Sequence, residues 1–510
     1  MEGHRAVTRR TFSNAASSAA LIGLTAKAER TISGSFVNDA FPLGHKLRDH
    51  VPFPTPRRQV HIPLVIVGGG MSGLSAAWRL DKRGFHDFVI VEMEKQAGGN
   101  SRWGENEVSR YPWAAHYVPV PAKGASLVRE LFEELGLYRD GRWDERSLCF
   151  APQERLFLHG RWQEGIEPEV ASSSTDREHY RIFEAKIQEF RATGSFTIPM
   201  DRGLPASSPL DRISMADWLK QQRLDSPYLR WYADYACRDD YGSSLRDTSA
   251  WAGIHYFAAR DPEDKGPLTW PEGNGWIARR LIAKLSRFLT TGAPVYRIVP
   301  NGRGVRVLTP EVEYIADAVI FAAPVFLARY LIEGAPPATG FQYSPWLTAN
   351  LTLDRPPRNE GIETAWDNVI YGSPSLGYVN ATHMSLASRQ DRNVWTYYWS
   401  LAEHSPTEGR RLLLIKGWDY WKEAILADLS RAHPNIRECV ARIDIMRMGH
   451  AMARPSPGFI FSDDRRRWHR PLGRIFFAHS DLSGFSIFEE AQFRGVQAAD
   501  AVINLFGSKP

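Results

Sequence analysis

Residues 64–80 read LVIVGGGMSGLSAAWRL, and this segment carries the clearest structural pattern in the 510-residue chain. The four apolar residues at 64–67 are typical of a buried parallel strand, and the run from Leu74 to Leu80 is typical of a helix. The turn between them matches GxGxxG. The order strand, glycines, helix predicts an α/β, Rossmann-like fold that binds a dinucleotide phosphate at the helix N-terminus.

The glycines of this turn have separate physical roles. Gly68 permits the tight turn, Gly70 lets a pyrophosphate approach the backbone, and Gly73 lets the helix pack on the strand. Met71 and Ser72 stand between the second and third glycines of the motif. We therefore expect all five residues to belong to the cofactor site.

A second short strand, residues 88–91, ends at Glu92. Gly73 precedes Glu92 by 19 positions, close to the spacing of about 20 expected for a ribose-binding acid. A carboxylate here accepts hydrogen bonds from both ribose hydroxyls and repels a 2′-phosphate. Glu92 therefore argues for FAD or NAD and against NADP.

The residues after Glu92 resemble the flavin-containing amine oxidoreductase superfamily, which includes monoamine and polyamine oxidases and phytoene desaturases. The family continues with E-x5-G-G, and here Gly98 and Gly99 complete that spacing. Members usually carry Arg next, whereas this chain has Asn100. The resemblance implies FAD as the cofactor, with Gly98, Gly99 and Asn100 beside it.

The C-terminal part resembles the same family. A strand at 474–478 is followed by Asp481, where the family places an acid on the pyrophosphate or ribityl chain. A helix then begins near Ile487 and Phe488, and its dipole is expected to stabilise negative charge on the flavin. Covalent attachment is not expected, because the last cysteine, Cys439, lies well upstream of the C-terminal strand.

The resemblance also divides the chain. We expect a Rossmann-like FAD-binding domain interleaved with an α+β substrate-binding domain. The expected segments are a signal peptide at 1–28, a linker or arm at 29–60, FAD-binding parts at 61–130, 269–334 and 450–510, a helical substrate part at 131–268, and an aromatic-rich sheet at 335–449.

Two aromatic stretches supply candidate substrate contacts. In the family, the stretch YPWAAHY at 111–117 passes over the flavin, so Trp113 is a candidate wall and His116 a candidate proton acceptor or orienting group. Trp399 belongs to the stretch WTYYWS at 395–400, which is typical of a strand. Side chains alternate between the two faces of a strand, so the aromatic residues on one face are expected to form a pocket wall. The alternatives are a structural histidine and rings that simply pack.

An acidic pair and one departure from the family bear on the substrate. Asp240 is a candidate partner for a cationic substrate, and the alternative is a solvated acidic turn or an ion pair with Arg238 or Arg246. Amine oxidases often have Tyr two residues before the glutamate of the C-terminal motif, but Ile487 stands there. In the family that Tyr is one of two aromatic rings that enclose the substrate at the flavin. Here this pair of rings is incomplete, or another ring such as Phe485 or Phe488 supplies the missing one.

The resemblance implies an enzyme that oxidises a C–N bond of an amine or polyamine by hydride transfer to flavin N5. Oxygen or another redox carrier would then accept the electrons. Two alternatives stay open, namely desaturation or isomerisation of C–C bonds in an apolar substrate and a non-catalytic FAD-binding protein. The three cysteines are widely spaced, and no cluster predicts a metal site.

The net charge of +5 belongs mostly to the N-terminus. Residues 1–28 hold four basic residues and one acidic residue, so the charge does not predict a nucleic-acid partner. Arg9 and Arg10 in TRRTF, an apolar stretch and AKA at 26–28 resemble a twin-arginine signal. We expect export to the periplasm by the twin-arginine translocase, the alternative being a basic N-terminus with a chance arginine pair. No run of 18 apolar residues predicts a membrane span.

Overall fold

The computed structural model describes residues 30–37, 40–122, 124–168, 172–260, 266–385 and 391–507. Its α-helices are Phe41–Arg48, Met71–Lys82, Ser126–Glu134, Ser174–Ala192, Met215–Gln221, Pro227–Tyr241, Ala250–Ala258, Gly275–Leu285, Ala328–Leu331, Pro406–Ile415, Trp418–Leu429, Ile436–Cys439, Asp463–Arg467 and Phe488–Gly507. The predicted signal peptide at 1–28 lies outside the described residues.

A twisted parallel sheet carries the glycine-rich turn. Its five parallel strands lie in the order Leu289–Thr290, Phe88–Val91, Arg58–Val67, Val312–Phe321 and Ile475–Phe477. Two antiparallel strands, Gly304–Leu308 and Arg297–Asn301, extend it from Val312–Phe321. Its strands come from three separate parts of the chain, residues 58–91, 289–321 and 475–477.

The helix after the glycine turn, Met71–Lys82, packs against the last helix, Phe488–Gly507. The approach is close at Gly495, where an added Cβ would lie 2.2 Å from the carbonyl oxygen of Ser72. A glycine is therefore required at the crossing. This contact joins the N-terminal and C-terminal pieces of the cofactor-binding half.

A second sheet has eight strands. Their order is Ser33–Phe36, Val440–Ala453, Tyr343–Leu353, Asn393–Trp399, Tyr378–Asn380, Asp367–Ile370, Glu154–Leu158 and Arg161–Glu164. Smaller two-stranded pairs are Trp103–Glu105 with Arg110–Pro112, Tyr117–Val118 with Leu268–Thr269, and Tyr138–Arg139 with Arg142–Trp143.

The segment boundaries differ from the predicted ones in three places. The segment at 131–268 is helical over much of its length, but it also adds Glu154–Leu158 and Arg161–Glu164 to the large sheet. Residues 29–60 are more than a linker, since Ser33–Phe36 pairs in parallel with Val440–Ala453. The predicted boundary between the segments at 335–449 and 450–510 falls inside strand Val440–Ala453. This strand continues past residue 449 because it is paired on both sides, with Ser33–Phe36 and with Tyr343–Leu353.

Four helices pack against one another, namely Ser174–Ala192, Met215–Gln221, Pro227–Tyr241 and Ala250–Ala258. The C-terminal turns of Pro227–Tyr241 approach the sheet, where the Tyr235 hydroxyl donates to Asp367 at 3.3 Å. This contact places the end of the helix that carries Asp239 and Asp240 near Asp367, the first residue of a strand. Among the described helices, none is long and apolar enough to cross a membrane.

Candidate active site

A deep cleft lies beyond the carboxyl ends of the parallel strands, where nucleotides bind in folds of this class. Most of the residues predicted to hold FAD line it: Gly68, Gly70, Met71, Ser72, Glu92, Gly99, Asn100, Asp481, Ile487 and Phe488. We call this cleft the cofactor cavity. Helix Phe41–Arg48 covers one side of it through Phe41, Gly44 and Leu47, which the sequence did not predict.

Two predicted glycines stand behind the cavity wall. At Gly73 an added Cβ would lie 2.0 Å from the carbonyl oxygen of Gly68, so only glycine lets the helix start this close to the turn. The N–H of Gly98 donates to the carbonyl oxygen of Gly69 at 2.8 Å, which ties the second glycine pair to the first turn. These residues shape the cavity from behind.

Glu92 fixes the glycine turn to the second strand. Its Oε2 accepts from the N–H of Gly69 at 2.7 Å, and its Oε1 accepts from the N–H of Glu94 at 2.8 Å. Each carboxylate oxygen keeps further acceptor capacity. Glu92 is thus placed both to order the turn and to accept hydroxyl donors from a ribose.

The C-terminal residues close the opposite side of the cavity. Asp481 accepts from the Tyr343 hydroxyl at 2.5 Å and from the N–H of Val325 at 2.9 Å. The first turn of helix Phe488–Gly507 lines the cavity, so the positive end of its dipole faces the space where an anion is expected. This geometry agrees with the predicted final strand, loop and helix.

A buried acceptor supports the fit of FAD to this cavity. The side-chain oxygen of Asn274 has no hydrogen-bond partner among the described residues, although Asn274 is only 1% exposed. Buried acceptors are rarely left unpaired, and this residue lines the cavity. The glycine cradle, the Glu92 carboxylate and this unpaired oxygen together fit a dinucleotide that brings hydroxyl and N–H donors.

A second cavity adjoins the first and is called here the substrate cavity. Eight residues line both: Asn100, Ala115, Asn274, Met448, Ala451, Ser486, Ile487 and Phe488. Ile487 lies at this junction. The arrangement exposes one end of the cofactor cavity to a bound substrate.

Aromatic rings form much of the substrate cavity wall, among them Tyr117, Tyr235, Trp346, Tyr398 and Phe488. Strand Asn393–Trp399 contributes an aromatic ring to this wall, but the ring belongs to Tyr398 and not to the predicted Trp399. Side chains alternate along a strand, so Tyr398 faces the cavity while Trp399 packs on the other face against Trp421.

The prediction for Trp113 is also wrong in position. Its ring packs edge-on against Tyr111, with centroids 5.5 Å apart, in a small core cluster that includes Met446. The next three residues, 114–116, line the substrate cavity instead. The stretch passes the cavity as expected, but its indole points into the protein.

His116 lines the substrate cavity inside an aromatic cluster. Its ring lies 4.7 Å from that of Tyr398 and 5.4 Å from that of Trp366. Burial lowers the pKa of the His116 imidazole to about 4, so the ring is neutral and weakly basic near neutral pH. This position suits a wall residue better than a proton acceptor.

The two acidic residues at 239–240 differ in their partners. Asp240 lines the cavity, but Arg260 binds it with two hydrogen bonds, at 2.9 Å and 2.7 Å. The partner is thus neither Arg238 nor Arg246, and Asp240 is not free to bind a cation. Its neighbour Asp239 faces the same cavity, and no cation lies within 4 Å of it among the described residues.

Glu489 is a further carboxyl group of the substrate cavity that the sequence analysis did not assign. It lies in the first turn of helix Phe488–Gly507, next to the junction of the two cavities, and is 2% exposed. Burial raises the pKa of Glu489 to about 7. The alignment of Glu489 with the family motif was the available signal, but nothing in the sequence showed that its side chain faces a cavity.

The chain matches a known protein family over most of its length. The family model described as flavin containing amine oxidoreductase matches residues 71–503. The chain belongs to this family. FAD is therefore its cofactor.

Individual relatives are distant. An L-amino acid dehydrogenase from Synechocystis is 23% identical over 285 residues, which cover 53% of this chain and 58% of that protein. A putative flavin-containing monoamine oxidase, AofH, from Mycobacterium tuberculosis is 25% identical over 54% of this chain and 60% of its own length. The chain thus spans about 60% of these curated relatives.

The fold resembles that of a putrescine oxidase solved with putrescine bound. The TM-score is 0.67 at 18% identity, and the match covers 88% of this chain and all of that one. At this identity the likeness establishes the fold alone. The amine oxidase fold therefore extends over nearly all of the described residues.

Proposed function

We propose that this protein is an FAD-dependent oxidoreductase that oxidises the C–N bond of an amine. The observation that carries the proposal is the junction of the two cavities, because a substrate held among aromatic and acidic side chains reaches the cofactor there. Bound FAD supplies the acceptor for the hydride equivalent that leaves the substrate carbon.

The substrate cavity prepares the amine for this reaction. A free alkylamine is protonated near neutral pH, with a pKa of about 10.4, yet it must be neutral to react. The aromatic wall excludes water and so favours the neutral amine. Glu489, which lies at the junction, is the carboxylate placed to accept the released proton.

The acidic lining also weighs against a C–C desaturase. An apolar polyene offers no hydrogen-bond donor to Asp239, Asp367 and Glu489, whereas an amine offers them N–H donors. This difference supports the amine over the apolar alternative.

The test is anaerobic reduction of the purified holoprotein. We expect amines to bleach the flavin absorbance band within a mixing experiment, and apolar polyenes to leave it unchanged. Bleaching by polyenes alone would instead support desaturation. A flavin that no amine reduces would refute the proposed function.

We also propose that the protein is exported in folded form through the twin-arginine pathway. The support is the order of arginine pair, apolar stretch and small-residue site within residues 1–28. Replacing Arg9 and Arg10 together by Lys is expected to retain the protein in the cytoplasm of a bacterial host, as measured by cell fractionation. The control is Arg5→Lys, and equal export of both variants would contradict the proposal.

A further inference from the structure

Two carboxylates of the substrate cavity stand apart from the cofactor cavity. Asp239 belongs to helix Pro227–Tyr241, and Asp367 begins strand Asp367–Ile370. Both line the substrate cavity, whereas neither lines the cofactor cavity. Their hydroxyl partners are Tyr117, which donates to Asp239 at 3.5 Å, and Tyr235, which donates to Asp367 at 3.3 Å.

The charge around this pair is not balanced. Burial raises the pKa of Asp367 well above its usual range, and the carboxylates of Glu154 and Asp239 raise it further. Glu154 is the neighbour of Asp367 across the parallel strand pair. Among the described residues, no cation lies within 4 Å of Asp239, Asp367 or Glu154. The pair is therefore a buried carboxyl cluster without a cation of its own, and a bound cation would stabilise its ionised form.

Arg260 does not neutralise this site. It is the arginine of the cavity lining, but its guanidinium is held by both oxygens of Asp240. An α-carboxylate from an amino acid would thus meet an arginine already paired and an acidic wall. The lining selects positive charge and disfavours a carboxylate on the substrate.

The nitrogen that is oxidised cannot be the one held here. Oxidation needs a neutral amine beside the cofactor, at the junction lined by Ile487 and Phe488. Asp239 and Asp367 lie away from that junction and favour an ammonium that stays protonated. A ligand that fills both positions carries two nitrogens.

We propose that Asp239 and Asp367 form a subsite for a second ammonium group and that the substrate class is a diamine or polyamine. This inference rests on the proposed amine oxidation and specifies its substrate. Asp239 and Asp367 act in it as specificity-determining residues, which hold the distal nitrogen while the proximal C–N bond is oxidised.

The first test uses the wild-type holoprotein. Under anaerobic conditions, the dissociation constant from flavin reduction is measured for α,ω-diamines of three to six carbons, for spermidine and for the n-alkylamines of equal length. At least one diamine or spermidine is expected to bind about tenfold or more tightly than its monoamine counterpart, the size of a charge-assisted hydrogen bond. Equal binding of all pairs would overturn the subsite.

The second test uses Asp239→Asn and Asp367→Asn, with Asp225→Asn as a control, since the Asp225 side chain is 86% exposed. We expect either cavity variant to lose about tenfold in affinity for the preferred diamine. The readout is the ratio of diamine to monoamine affinity, which should fall in both cavity variants and stay at the wild-type value in Asp225→Asn. Equal loss for diamine and monoamine would indicate a general structural role and overturn the assignment.

The pH dependence gives a readout that a structural role would not produce. Burial and the charge of Asp240 raise the pKa of Asp239 to about 7, against the opposing effect of Arg260, with Glu154 and Tyr117 also facing it. Because the ionised form binds ammonium, the preference for diamine over monoamine should fall as the pH drops below 7. Asp367 also faces Asp239 and titrates with it, so Asp239→Asn should change the pH profile of the preference, and a profile identical to wild type would contradict the role of Asp239.

The outcomes separate this inference from the proposed function. Flavin reduction by monoamines without any preference for diamines would leave amine oxidation intact and refute the subsite. Reduction by L-amino acids in preference to diamines would also refute it and redirect the substrate class. If no amine reduces the flavin, the proposed function itself fails.

Discussion

Replacing Gly73 by Ala is expected to weaken the retention of FAD. The added Cβ would lie 2.0 Å from the carbonyl oxygen of Gly68, so the helix must move away from the turn that meets the pyrophosphate. Overpacking of this kind costs about 1–3 kcal/mol, which corresponds to roughly 5- to 150-fold in a dissociation constant. The measurement is the flavin-to-protein ratio after gel filtration, together with the dissociation constant of FAD added to the protein stripped of cofactor.

The matched control for this variant is Gly417→Ala. A Cβ at Gly417 meets no atom within 4 Å, and the residue lies before helix Trp418–Leu429, in the other half of the molecule. This control should retain FAD as the wild type does. Full flavin occupancy in Gly73→Ala would contradict the close approach of helix and turn.

Replacing Arg260 by Ala is expected to destabilise the protein by about 3–5 kcal/mol, because it leaves the Asp240 carboxylate buried without its cation. Arg260 donates two hydrogen bonds to Asp240, whose side chain is 8% exposed. The measurement is the free energy of unfolding in urea, followed by fluorescence at pH 8. The double variant Asp240→Leu with Arg260→Met should recover much of the loss, since it removes both charges together.

The control for Arg260 is Arg246→Ala. Arg246 was one of the two partners of Asp240 that the sequence allowed, but its side chain is exposed, so its removal should change stability by less than about 0.5 kcal/mol. A similar unfolding free energy for Arg260→Ala and wild type would show that Asp240 does not depend on this ion pair. Such a result would also reopen Asp240 as a ligand for cations.

The cofactor site was largely predictable because its determinants are local. Gly68, Gly73 and Glu92 lie within 25 consecutive residues, and a turn, a close approach and a following acid each leave a pattern in sequence. The final helix with Ile487 and Phe488 was also placed correctly, through its resemblance to the family. In these segments, chain neighbours are also the neighbours that matter in space.

The substrate cavity was less predictable because its residues meet only through tertiary structure. Asp239 and Asp240 are adjacent in sequence, yet the pairing with Arg260 decides which of them remains without a cation. Asp367 carried no signal at all, since only the register of its strand with Glu154 reveals a second acidic wall. The choice of Trp399 failed by one residue, which is enough to exchange the faces of a strand.

The arm at the start of the described chain has a consequence for the order of folding. The Ser33 hydroxyl donates to the carbonyl oxygen of Ala441, a partner 408 residues later, and helix Phe41–Arg48 just after this strand covers the cofactor cavity. At about 5–20 residues per second, the ribosome needs roughly 20–80 s to make the intervening chain. During that time strand Ser33–Phe36 has no sheet edge to join. The cavity therefore takes its final, covered form only when synthesis is nearly complete.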